Sequence, residues 1–477
     1  MSKANVGSWR DTVWVRIYVG IALCLLVFAA ASIDASAQIS VPPILEGQFD
    51  SGSITGMRSV LSLSPTGEDL RPGATWSVNR DKTIHTTRAQ VVLQDYSDTS
   101  TQLRLISPVF RGFQAIAEVG TTTNNGLEND ETYLSLIGRS NSIGTRLLYS
   151  PSSKTIFYGG YSYAGYSGDG NSNIYKGTFD IFSQTPPYSF KKSSAVTQAG
   201  IVQSLGRAVK IEANVGYEMS PGSAELISQT DSTRLSLPLN EQGVSEVFAV
   251  QYTPPGELKG AHNWQATLVG GRGDLTGNGS VEREFGSIGS ASQARNQGSI
   301  TAGLTLHRAE KLSQFLYYEG MWQDWQTNGI VPSPSNLSSS LDQLTGLGYG
   351  AKYRISTQTA GIRWSHDPDA VHQFQTGLSF IHFTGDYLAT YEGAYYIFVV
   401  QGQSQISPTQ ENLMLVNLAY RYPIGKLDMQ VTASQGVPLP KSISALSVGS
   451  SSSSSSGPSR ISSGGWELGV NMHIPFL

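Results

Sequence analysis

An all-β fold is predicted by three features of this 477-residue chain. Segments of about ten residues alternate apolar and polar side chains, the period of a strand with one greasy face. Short turn-forming sequences and long polar stretches take turns between those segments. Glycine (51) and tyrosine (22) are abundant and only 14% of residues are charged. This composition suits a β-protein with many turns.

The first element is a leader. Lys3, Arg10 and Arg16 give it a positive head, an apolar run extends from Ile17 to Ser32, and Ala35-Ser36-Ala37 follows. That order is a secretory signal, residues 1–37, cut before Gln38. Cys24, the one cysteine, lies inside the apolar run. The mature chain therefore has no disulfide, thiolate metal site or cysteine nucleophile. Removing three basic and two acidic leader residues from 32 and 36 leaves 29 against 34, a charge of −5. So mild a charge argues against a nucleic-acid partner. Residues 38–52 form a short tail containing proline.

The strands are expected at 84–95, 101–107, 110–119, 131–139, 143–150, 155–164, 173–183, 194–204 and 207–218. The second half supplies 244–253, 261–271, 297–306, 312–323, 358–366, 371–384, 411–421, 427–435 and 464–476. Each rests on alternation. Val209, Ile211, Ala213, Val215 and Tyr217 oppose Lys210, Glu212, Asn214, Gly216 and Glu218, and Leu427, Met429, Val431 and Ala433 oppose Asp428, Gln430, Thr432 and Ser434. The total is eighteen. A hairpin of 53–64 with 73–80 would make twenty, and the expected range is sixteen to twenty. Segments 223–237, 346–354 and 389–400 are expected as strand extensions or loop hairpins. Tight turns are expected at Leu205–Arg207, 254–260, His307–Glu310, 367–369 and Tyr422–Lys426, where Pro, Gly or charge sits as turns prefer. The long connections are 219–243, 272–295, 324–344, 385–410 and 436–463. The last contains a serine run, 450–456, of low complexity.

The end of the chain sharpens the fold class. Trp466, Leu468, Val470, Met472, Ile474 and Phe476 share one strand face, while Glu467, Gly469, Asn471, His473 and Pro475 share the other. A chain that closes on such a strand, one residue past Phe476, resembles porin-like outer-membrane β-barrels of Gram-negative bacteria. The resemblance covers the mature chain and carries no motif of one family. It implies an antiparallel up-and-down transmembrane barrel over 53–477, with short periplasmic turns and long external loops. It also implies outer-membrane lipid around the barrel, and assembly machinery that recognises Phe476 during biogenesis. A homo-oligomer is compatible with it. Only a closed sheet satisfies every backbone group in a bilayer. Closure at about eighteen strands leaves an aqueous passage.

On this reading the polar faces line the lumen. The candidate lining residues are Arg88, Arg146, Lys176, Lys210, Arg363 and Arg421, against Glu118, Asp180, Glu212, Glu218, Asp428 and Glu467. Six of each sign make no basic stripe of the kind a phosphate pore or acidic-polymer exporter wants, and no acidic ring. The expectation is a channel for passive or weakly selective passage of small hydrophilic solutes. Two rivals remain: a structural or surface-interaction barrel with an occluded lumen, and an export conduit for an exopolysaccharide. No cofactor or metal is expected, because the seven histidines lack ligand spacing. Asp169, Asn171, Asn173 and Asp180 imitate a calcium loop but have Ile174 where the turn needs glycine. Arg272-Gly273-Asp274, an adhesion tripeptide, is placed in an external loop. No serine elbow or carboxylate pair points to an enzyme.

Overall fold

A computed structural model describes residues 70–82, 87–88, 91–92, 94–127, 137–171, 187–227, 234–238, 240–254, 264–283, 286–309, 312–332, 346–366, 372–395, 398–439 and 466–476. The leader, the tail at 38–52, Lys176, Asp180 and the serine run lie outside these residues.

Among the described residues twenty strands are formed. In the first half these are β1 (Gly73–Lys82), β2 (Thr87–Arg88), β3 (Val91–Val92), β4 (Gln94–Ile106), β5 (Phe113–Leu127), β6 (Ile137–Ser152), β7 (Thr155–Asn171), β8 (Pro187–Leu205), β9 (Val209–Ser220) and β10 (Gly222–Ile227). The second half has β11 (Arg234–Pro238), β12 (Glu241–Tyr252), β13 (Trp264–Arg283), β14 (Gly286–Ala309), β15 (Leu312–Pro332), β16 (Gly346–His366), β17 (Gln373–Tyr395), β18 (Phe398–Ile424), β19 (Leu427–Pro438) and β20 (Trp466–Pro475). Strand β1 pairs antiparallel with both β20 and β4, which closes the sheet. Sixteen strands make the barrel, and the β10–β11 hairpin extends it. The chain is thus a closed, all-β antiparallel barrel.

The hairpin is not a separate unit. Met219 pairs with Ala195 and Gly222 with Lys192, the same register on both sides of Pro221. Strands β9 and β10 are therefore one strand interrupted where proline lacks an N–H donor. The Gly222 N–H donates instead to Asn240 Oδ1 at 3.0 Å, across the matching break between β11 and β12.

One row of ladder partners, followed once round the barrel, runs from Tyr252 through Ala266, Leu304, Leu316, Ile362, Leu378, Val416 and Gln435 to Trp466. It continues through Lys82, Ser97, Asn125, Ile137, Asp169, Ser189 and Glu225 to Ser236. The row returns 16 residues from its start, 252 to 236. That offset over sixteen strands accompanies a tilt of roughly 35–45°.

The faces separate cleanly. Leu103, Val119, Leu147, Ile201, Val215, Phe248, Leu268, Ile300, Phe380, Leu418 and Leu468 all point outward and are exposed. Together they make a continuous apolar outer surface. Aromatic side chains mark its short-turn edge, where Phe113 and Tyr149 stack at 4.4 Å. The turns at this edge use left-handed backbone: Arg111–Gly112 (φ 50° and 81°), Gly206 (69°) and Gly425 (63°). Two successive positive φ values make Arg111–Gly112 a primed hairpin turn, matched to the twist of β4 and β5.

Inside the barrel, at the same edge, lies an apolar cluster of Leu70, Ile106, Val109, Ile116, Leu148, Ile156, Tyr158 and Val202. Gln114 Nε2 pins the incoming chain over it, donating to Leu70 O at 2.8 Å and Ser107 O at 3.0 Å. One side of the short-turn mouth is thereby filled.

Several expected strands are redrawn. Strand β6 is continuous through Ser140–Ser142, where two strands were expected. The first barrel strand is β1, not 84–95; Arg88 lies in a small two-stranded sheet with β3. The long connections at 272–295 and 385–410 are mostly strand, because ladder hydrogen bonds continue beyond the apolar belt wherever polar side chains alternate. Arg272 and Asp274 accordingly sit on β13, ion-paired at 2.7 Å, and not in a loop. The extensions expected at 223–237, 346–354 and 389–400 are present in β10–β11, β16 and β17–β18.

Candidate functional site

The inner wall of the barrel carries the polar chemistry, and its ionisable groups are organised in three tiers. The middle tier crosses β4 to β9. Arg104 and Glu118 are ladder partners, with Nε 3.1 Å from Oε1. Gln102 Nε2 donates to the other oxygen of Glu118 at 3.3 Å. The Arg146 guanidinium carbon lies 5.5 Å from the centre of the Tyr158 ring, an ordinary cation–π distance. Tyr158 lies flat across β8, because its neighbour there is Gly200: a Cβ at Gly200 would stand 2.2 Å from Tyr158 Cζ. The hydroxyl thus reaches β9, donating to Glu212 Oε1 at 2.7 Å and accepting from Asn214 Nδ2 at 2.9 Å. Glu212 is fully buried.

The same device recurs on the far wall. Gly303, Tyr317, Gly361 and Ser379 form one ladder row across β14 to β17. A Cβ at Gly361 would come 2.5 Å from Tyr317 Cζ. The Tyr317 ring covers that glycine and its hydroxyl meets Ser379 Oγ on the strand beyond. Phe315 stacks against Tyr317 at 5.6 Å, and both pack with Val247, Ala249 and Val269.

The tier nearest the long loops joins β8, β9, β12 and β14. Lys192 Nζ lies 2.6 Å from Glu241 Oε2. Arg295 reaches both Glu241 (3.4 Å) and Glu218 (3.7 Å), and the hydroxyls of Ser194 and Ser220 donate to Glu218 at 2.9 and 2.6 Å. Lys192, Glu241 and Arg295 are each less than 10% exposed. Two cations and two carboxylates balance, so each buried charge has a partner.

The lowest tier sits at the short-turn mouth. Arg421 grips Asp428 through two nitrogens, and Arg71 approaches the same carboxylate at 3.4 Å. His473 Nδ1 shares a 2.9 Å hydrogen bond with Thr75 Oγ1.

Of the lining residues expected from sequence, Arg146, Lys210, Glu118, Glu212, Glu218, Arg363, Arg421 and Asp428 occupy strands of the barrel sheet. The structure brings Arg421 to Asp428. It does not bring Glu218 to Glu212, which belong to different tiers. Glu467 lies on β20, opposite Ser434 and Asp81. Arg88 is outside the barrel sheet, and Lys176 and Asp180 fall outside the described residues. Arg104, Lys192, Glu241 and Arg295 escaped the sequence reading. The signal for the last three was present in the alternation: Arg295 has the parity of inward Ser299 and Thr301, a few residues past the expected strand end.

Neither a family model nor a curated protein sequence matches the chain. Solved structures do. A TodX deletion mutant, a monoaromatic hydrocarbon channel, aligns over 88% of this chain and 95% of its own at 10% identity, with a TM-score of 0.41. CdiB from Acinetobacter baumannii aligns over 85% at 13% identity and 0.35, and this chain spans 60% of its length. A bacterial polysaccharide outer-membrane secretin aligns over 86% at 7% identity and 0.36. Likeness at this level concerns the barrel alone, and the ladder register establishes that independently.

Proposed function

We propose that the protein is an outer-membrane channel for passive, weakly selective passage of small hydrophilic solutes. The observation that carries this reading is the pairing of charge along the inner wall of a sixteen-strand barrel. Sixteen strands enclose more space than wall side chains fill. Among the described residues inner charges meet opposite charges in each tier: Arg104 with Glu118, Lys192 and Arg295 with Glu241 and Glu218, and Arg421 with Asp428, which Arg71 also approaches. Paired charges leave a hydrated wall with a small net field, and so a small preference between cations and anions. The short turns face the periplasm in this proposal, and Phe476 is the residue read by the assembly machinery. No catalytic chemistry is assigned to the lumen.

Planar bilayers test the reading. Purified protein should give discrete conductance steps, with a reversal potential near zero under a gradient of a salt whose ions have similar mobility. Neutralising Arg363 and Arg421 should move the channel toward cations by a modest factor, since each is one charge in a wet, screened lumen. Silence that persists after the long connection at 440–465 is shortened would reject it in favour of an occluded, structural barrel.

A further inference from the structure

We infer that a second copy of this chain docks side by side on the outer face of β12 and β13, related by a two-fold axis parallel to the barrel axis. The inference rests on the membrane setting proposed above and not on conduction.

Glu246 sets a carboxylate within the apolar outer surface. Burial alternates along β12, and Glu246 falls on the exposed parity between Val244 and Phe248. Across the β9 ladder it faces Val215, also exposed. It lies six residues along β12 from Tyr252, the ladder partner of Val209 beside the Gly206 turn. At about 3.3 Å per residue on strands tilted by roughly 35–45°, that is roughly 15 Å above the short-turn edge, inside an apolar band about 25 Å tall. On its fourth side stands Arg272, its ladder partner on β13. The Arg272 guanidinium turns instead to Asp274, two residues further from the short turns, at 2.7 Å. Among the described residues Glu246 makes no ion pair or hydrogen bond. A carboxylate aimed at hydrocarbon is costly, so a polar partner covers it in stable arrangements. Swinging Arg272 over to Glu246 within one barrel would still leave the far side of both groups against hydrocarbon.

A two-fold axis supplies the cover. Ladder partners lie about 5 Å apart and, on tilted strands, within about 3 Å of the same height. An axis passing between Glu246 and Arg272 therefore sets each Glu246 against the partner subunit's Arg272, and the reverse, which is the exchange an isologous contact makes. A guanidinium has five N–H donors, so it can hold Asp274 and the incoming carboxylate together. The same axis makes a second fit, two residues nearer the short turns. Phe248 and Gly270 are also ladder partners. The Phe248 ring is half exposed, and a Cβ at Gly270 would meet nothing within 4 Å. Each Phe248 ring is thus seated over bare backbone at the partner subunit's Gly270. Charge and shape become complementary under one operation.

The test is the mass of the full chain, extracted from membranes in mild detergent and measured by sedimentation equilibrium. The unmodified protein should sediment as a dimer. Glu246→Gln should weaken dimerisation about tenfold or more, and Phe248→Ala should weaken it as well. Arg354→Gln, on the outer face of β16, should leave it unchanged. Glu246→Arg and Arg272→Glu should each be monomeric, because like charges then meet at both contacts. Mixed together, these two variants should form dimers containing one copy of each, since both contacts then join opposite charges. A pair acting within one barrel gives no such rescue. If a charge-reversal variant does not fold, Glu246→Gln and Phe248→Ala decide. A monomeric or trimeric unmodified chain, a Glu246→Gln dimer of undiminished strength, or folded reversal variants that stay monomeric when mixed would overturn the two-fold contact. A chain that leaves the membrane fraction without detergent would overturn the membrane setting, and the contact with it.

Discussion

Tyr158 and Tyr317 do the same thing on two walls of the barrel and arrive at different chemistry. Each lies over a glycine of the next strand and hydrogen-bonds to the strand beyond, so each ties three strands together from the inside. Tyr158 ends on the buried carboxylate of Glu212, supported by Asn214 and Arg146. Tyr317 ends on the neutral hydroxyl of Ser379 and is supported by Phe315 and aliphatic neighbours. The backbone requirement is shared: an inward tyrosine beside a residue with no Cβ. What differs is the dielectric bargain. The first clamp keeps a charge stable where water is scarce, and the second stiffens an apolar wall.

The shared requirement gives the largest expected effect. Gly200→Ala and Gly361→Ala should each destabilise the barrel by roughly 2–3 kcal/mol, since the new methyl group occupies the ring's position and the tyrosine must leave. Urea unfolding of the protein reconstituted in lipid vesicles measures this. Gly270 is the control, because a Cβ there meets nothing within 4 Å. Gly270→Ala as costly as the other two would show that the cost is a general one for strand glycines, and the clamp comparison would fail.

These clamps also show what could be read without coordinates. Alternation located the central part of most strands, because there the outward face is apolar and the inner face polar along the whole run. The closing strand was the clearest, since six apolar residues alternate from Trp466 to Phe476. Strand β1 was harder: the outward face that carries Trp76 also carries the charged Arg80, and its pairing with β20 and β4 decides its role. Ser140-Asn141-Ser142 separates two expected strands, yet it continues β6 because both neighbours offer a ladder. Charge pairs across strands were illegible for another reason. Lys192, Glu241 and Arg295 come from strands far apart in sequence, and register, which composition does not disclose, brings them together. The tyrosine–glycine rows are hidden in the same way.

The difference between the clamps appears on removing the hydroxyls. Tyr158→Phe takes a donor from a buried carboxylate and should cost about 1.5–3 kcal/mol, the range for hydrogen bonds to charged groups. Tyr317→Phe removes a neutral bond and should cost about 0.5–1.5 kcal/mol. Measured side by side under the same unfolding conditions, the first should exceed the second. Equal losses would mean that the Tyr158 hydroxyl gives the buried Glu212 carboxylate no more than a neutral hydrogen bond gives Tyr317.

The smallest effect sharpens the neutral clamp. Ser379→Ala should cost about 0.5–1.5 kcal/mol, because it leaves the Tyr317 hydroxyl buried without that partner. The double variant Tyr317→Phe with Ser379→Ala removes both ends of the bond and leaves no unmade one. It should therefore be no less stable than the worse single variant, giving a double-mutant cycle with a coupling of about 0.5–1 kcal/mol. The charged clamp should behave otherwise. Asn214 Nδ2 donates to the Tyr158 hydroxyl, so Tyr158→Phe with Asn214→Ala removes both ends of that bond but still leaves the Glu212 carboxylate buried without its Tyr158 donor, and the double variant should keep at least the full loss of Tyr158→Phe. A double variant more stable than Tyr158→Phe, beside full additivity at Tyr317 and Ser379, would reverse the two assignments.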